Sequence, residues 1–169
     1  MRRAQTQGFA LVGVWVCLLV APLWFVPAVG ATEVEMTRDE YSARAEPICK
    51  TNVLANKRIF KGAKGEVKAG KLKRASTHFF RAATAFGKTI DQLEKVPQPL
   101  ADEARLTKWL GLLRDEQSII EKVGRALASG DKHKAGSYSV DLNHNSTLAN
   151  NTVLGFGFDY CRIDPARFG

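Results

Sequence analysis

From Thr37 onward the apolar residues return every three or four positions, and nowhere does an alternating pattern run long enough to make a strand. That period predicts helices, separated by short breaks. A first helix opens at Thr37-Arg38-Asp39-Glu40, a capping box in which the threonine hydroxyl caps a free amide and the glutamate reaches back. Tyr41, Ala45, Cys49, Val53, Phe60, Ala63 and Val67 carry its stripe to about Ala69, and Gly70 stops it. Pro47 is expected to kink or delay this helix, and Gly62 and Gly65 to loosen its second half.

A second helix places Leu72, Ala75, Phe79, Ala82, Phe86, Ile90 and Leu93 on one face and ends at Val96-Pro97-Gln98-Pro99. A third begins near Leu100 and carries Leu106, Leu110, Leu113, Ile120, Val123 and Leu127 as far as Gly130. Asp131 caps a fourth, with Tyr138, Leu142, Ala149, Val153 and Phe156 on a face that polar residues interrupt. Connections of a few residues make consecutive helices antiparallel neighbours. The expected fold is therefore all-α, an antiparallel up-down-up-down four-helix bundle with its first and last helices side by side.

The N-terminus departs from this pattern. Arg2 and Arg3 precede an apolar run from Phe9 to Val29, the layout of an export signal. Two readings follow: cleavage after Ala31, or retention of residues 9–29 as a membrane tether with the arginines held inside. The chain then divides into a signal or anchor segment over 1–31, a short tail over 32–36 and the bundle over 37–169. Either way the address is extracytoplasmic, with the protein secreted or tethered.

Export changes the meaning of the cysteines. Cys17 lies inside the leader, and the pair that remains, Cys49 and Cys161, reads as a disulfide in an oxidising compartment. Such a bond would clasp the start of the bundle to its end. The segments Thr37 to Tyr41, Pro47-Ile48-Cys49, the Val96 to Pro99 break followed by Trp109, and the closing Gly157-Phe158-Asp159-Tyr160-Cys161 resemble a group of small exported helical proteins of actinobacteria. The resemblance implies the disulfide-tied bundle and the extracytoplasmic address, and it carries over no catalytic residue.

Charge is unevenly spread. The chain is net +8, two of its basic residues being the leader's Arg2 and Arg3, and residues 50–88 hold eleven Lys or Arg against one acid, Glu66. Lys57, Lys61, Lys64 and Lys68 would line one stripe of an unbroken helix, with Lys71, Lys73 and Arg74 beside them. Anionic lipid or an envelope polymer is the partner such a field suits, and nucleic acid is the least expected outside the cell. The plain alternative is a solvated face.

A second cluster is rich in amides: Asn52 and Asn56 on the first helix, and Asn143, His144, Asn145, Asn150 and Asn151 on the fourth. With Cys49 joined to Cys161, an antiparallel register brings these near one another, either as a buried hydrogen-bond network or as a seat for a small polar ligand or protein partner. Catalytic sets are absent from the pattern. His78, His133 and His144 are scattered, with no carboxylate at metal-ligand helical spacing, and no cofactor motif is present. The reading is a binding or structural protein with no metal or cofactor, and its oligomeric state is open.

Overall fold

The computed structural model describes residues 35–164, and the signal or anchor segment lies outside the described residues. Five α-helices succeed one another there: α1 (Arg38–Ile59), α2 (Ala63–Lys68), α3 (Leu72–Leu93), α4 (Glu103–Ala128) and α5 (Lys132–Thr152). The four long ones form the expected four-helix bundle, and no strand occurs among the described residues. No described helix is long and apolar enough to cross a membrane.

Local chemistry sets the boundaries. Thr37 and Glu40 form the reciprocal capping box at α1. Gly70 and Gly130 adopt φ of +73° and +81°, and the next amides, Lys71 and Asp131, reach back to the carbonyls of Glu66 and Ala126. Both are Schellman closures, which need a residue tolerant of the left-handed region. Asp131 caps α5 by accepting from the Lys134 amide at 2.8 Å.

One boundary differs from expectation. The first helix does not run to Ala69. It ends at Ile59, turns through Phe60, Lys61 and Gly62, and resumes as α2. Gly62 takes φ of +89°, where an L-residue with a Cβ is strained. The carbonyl of Ile59, left without a helical donor, is met by Nδ1 of His78 on α3, whose Nε2 lies 3.2 Å from Glu66 of α2. His78 thus ties the end of α1 and the body of α2 to one residue. Pro47, by contrast, does not end α1, which runs through it.

Packing is uneven around the bundle. α4 packs closely against α3 and α5, and α1 packs on α3. Leu93, Leu106, Trp109, Leu113 and Ile90 build a continuous core with Tyr41 and Ala45 of α1. α1 and α5 scarcely meet directly. Between them runs the C-terminal segment, folding back after the short 3₁₀ turn Leu154–Phe156. Its Phe156 and Phe158 stack on each other at 5.4 Å, and Phe158 stacks on Trp109 at 5.4 Å.

Three ties hold that segment. Cys161 is disulfide-bonded to Cys49, 112 residues away. Glu46 of α1 accepts from the backbone amides of Asp159, Tyr160 and Cys161 at 3.0, 3.0 and 3.1 Å. Asn150 of α5 pairs with both backbone groups of Ile163, donating to its carbonyl at 2.7 Å and accepting from its amide at 2.8 Å. The cysteine bond therefore joins α1 to a strap between α1 and α5, not to the last helix itself. At the same end, Arg38 grips the buried Asp102 through two hydrogen bonds of 2.8 Å, and this contact holds the Asp102 carboxyl below its ordinary range.

Candidate functional site

The strap fills the lower half of the gap between α1 and α5. Above it the gap stays open as a cavity of about 330 Å³. Its apolar wall comes from Val53 and Phe60 of α1, Phe79, Ala82 and Phe86 of α3, and Leu113 and Ile120 of α4. Leu142 of α5, Tyr160 of the strap and Val67 of α2 complete it. This size lies within the range of small-molecule sites. The cavity follows from the fold: α1 leans on α3, the strap holds α5 away below, and no side chain is large enough to fill what remains.

Polar groups are set into this wall. Asn52 and Asn56 turn inward on the stripe that begins with Tyr41, Ala45 and Cys49, and both are buried. Asn56 donates from Nδ2 to Oδ1 of Asn52 at 3.2 Å, but its own Oδ1 has no hydrogen-bond partner among the described residues. A buried carbonyl oxygen in that state costs on the order of 1–3 kcal/mol. Glu116 of α4 also lines the cavity and is only 2 % exposed. Burial pushes its carboxyl above the ordinary range, partly offset by Asn145 and Ser146 of α5, each at 2.6 Å.

Ser146 makes the carboxyl tolerant of either protonation state. Its hydroxyl oxygen lies 2.6 Å from Glu116 and 2.8 Å from the carbonyl of Leu142. One hydroxyl hydrogen serves the ionised acid as a donor. When Glu116 carries the proton, it donates to Ser146, and the serine hydrogen turns to Leu142.

The amide cluster does not form one seam. Asn52 and Asn56 pair with each other, Asn145 turns to α4 by donating to Glu116 and to the Leu112 carbonyl, and Asn150 holds the strap. No hydrogen bond joins an amide of α1 to one of α5 among the described residues. Asn143 borders the cavity, while His144 and Asn151 face solvent. The physical reason is the strap: it keeps apart the two helices whose direct contact the network required.

Lys57, Lys61, Lys64, Lys68, Lys71, Lys73 and Arg74 are all exposed. The break at Gly62 divides their stripe, with Lys57 on α1, Lys61 in the turn, and Lys64 and Lys68 together on α2. Arg74 pairs with Glu66 at 3.2 Å, and none of the six lysines makes an ion pair among the described residues. Lys64 belongs also to the cavity wall. Phe79 packs edge-on against Phe60 at 5.0 Å. No group of three metal-binding side chains occurs among the described residues.

Two parts of the site escaped the reading of the sequence. Glu116 sits midway across the gap from Leu113 to Ile120, at the turn where a core position is due. Ser146 fills the matching gap between Leu142 and Ala149. Those gaps were the available signal. Comparison with known protein families, with curated proteins and with solved structures finds no match to this chain. The class that the geometry defines is a disulfide-closed helical bundle with a mostly apolar cavity open to solvent on one side.

Proposed function

We propose that this protein binds a small, largely apolar molecule in the cavity between α1 and α5. The observation that carries the reading is the cavity itself, about 330 Å³ of space walled by Val53, Phe60, Phe86 and Ile120, with the unpaired Asn56 carbonyl in its side. A bundle evolved only for stability gains by closing such a gap, since apolar wall left open to solvent forfeits its burial. An apolar guest supplies the missing contacts. The role is that of a binding protein, acting outside the cytoplasm, either secreted after cleavage near Ala31 or tethered by residues 9–29. The disulfide supports that address, because such bonds persist in oxidising compartments.

The test is displacement of a fluorescent apolar probe, N-phenyl-1-naphthylamine, by dodecanol. The expected result is saturable binding of one probe per chain, lost in Ala82→Leu, which fills the cavity from the α3 side, while the variant melts at or above the wild-type temperature. Equal probe binding by a folded Ala82→Leu would remove the reading.

A second reading has its own observation. Six lysines from Lys57 to Lys73 stand exposed without ion pairs among the described residues, and such a field suits anionic lipid or an envelope polymer. The two readings share Lys64.

A further inference from the structure

The cavity has a shape and a charge pattern that narrow its guest. It follows α1 from Cys49 to Phe60, eleven residues apart, or roughly 16 Å at the helical rise. Over that length the cavity of about 330 Å³ can take an extended hydrocarbon chain. The middle of the wall is apolar, from Phe60, Phe79, Phe86, Leu113, Ile120 and Leu142. A flexible chain suits it.

Only three charged residues belong to the wall: Lys64, Arg162 and Glu116. Glu116 is buried in the wall, and its two carboxyl oxygens are taken up by Asn145 and Ser146. The other two are exposed cations, Lys64 on α2 and Arg162 on the strap, and neither has an acidic partner among the described residues. They therefore set positive charge on the cavity wall, Lys64 within a stretch over 50–88 that has ten more basic than acidic residues. A cationic guest would be repelled there, and a neutral one would gain nothing from the charge.

We infer that the guest is a single-chain anionic amphiphile, its hydrocarbon chain lying along α1 in the cavity and its acidic headgroup at Lys64 or Arg162. This rests on the cavity being a binding site, which the test separates from the choice of guest. Laurate, dodecanol and dodecylamine, equal in chain length and each used below its micelle concentration, are titrated into the full-length bundle by probe displacement at low and high salt. Laurate is expected to bind at least tenfold more tightly than dodecylamine in 20 mM salt, with the gap shrinking in 0.5 M salt as screening shortens to a few ångströms. Lys64→Gln with Arg162→Gln should abolish the gap by weakening laurate.

Dodecylamine binding as tightly as laurate, or a gap that survives the double substitution, would overturn the anionic assignment while dodecanol binding keeps the cavity reading. Failure of all three guests would remove both. Lauroyl-lysophosphatidylglycerol run beside laurate tells a lipid headgroup from a free acid. Preference of either over the amine supports the assignment, and preference of neither counts against it.

Discussion

Replacing the buried asparagine pair by leucine should stabilise the protein. Asn52 and Asn56 are 8 % and 4 % exposed, and their single mutual hydrogen bond of 3.2 Å leaves the Asn56 Oδ1 unpaired. That orphan costs on the order of 1–3 kcal/mol, against about 0.5–1.5 kcal/mol returned by the bond. In Asn52→Leu with Asn56→Leu both partners become apolar together, so nothing polar is stranded. Leucine also has the better helix propensity by a few tenths of a kcal/mol per position. The net expectation is a gain of about 1–3 kcal/mol, or on the order of 5–10 °C in Tm for a domain of this size. The single change Asn52→Leu runs the other way, because it removes the acceptor of Asn56 Nδ2 and strands a donor as well, for a loss of about 1–3 kcal/mol. Thermal melts and urea titrations of the three proteins decide it. A double variant less stable than wild type by more than about 1 kcal/mol would show that the Asn56 carbonyl is not an unmet group, and the argument from it would fall.

Other consequences follow from the same contacts. Reducing Cys49–Cys161 frees a loop whose ends are 112 residues apart and should cost about 4.7 kcal/mol on the chain-entropy account. At a urea slope of about 2 kcal/mol/M that lowers the midpoint by roughly 2 M, and a shift under 0.5 M would contradict it. Glu116 gives a signed pH effect. Burial raises its folded-state pKa above the unfolded value of about 4.3, so the folded protein holds the proton more tightly. Stability from this group is then full below the unfolded pKa, and falls as pH rises towards the folded value. The urea midpoint of wild type relative to Glu116→Gln should decline between pH 4 and pH 7, and a rise would refute the assignment. Changing Lys57, Lys61, Lys64 and Lys68 to Gln should weaken binding to vesicles containing anionic lipid by up to about 1 kcal/mol per lysine near the surface, with the remaining binding less sensitive to salt. Binding unaltered by the four changes would leave that face merely solvated.

Most of the fold was legible in the apolar period. The stops at Gly70 and Gly130, the capping box at Thr37 and the faces of α3 and α4 all lie where spacing and cap chemistry put them, because those signals are local. The break at Gly62 was not legible to the same degree. A glycine in a helical pattern is tolerated or breaks according to what waits for the freed carbonyl, and here that is His78, a partner from another helix. The candidate site was visible only in parts. Asn52 and Asn56 stood out by composition, yet the network expected between α1 and α5 assumed that those helices touch. The strap that separates them is held by Glu46, Asn150 and Cys161, long-range ties with no periodic trace. Glu116 was hidden for a related reason: a charged residue on an apolar stripe looks like an interruption until Asn145 and Ser146 are seen to satisfy it.

The space between α1 and α5 is expected to take a guest. The most direct measurement is an amide and methyl NMR titration of the protein with dodecanol. Saturable shifts are expected at Val53, Asn56, Phe86, Ile120 and Leu142, with the outer faces of α4 and α5 unmoved. Shifts that are absent, or that spread over the surface without saturating, would contradict it.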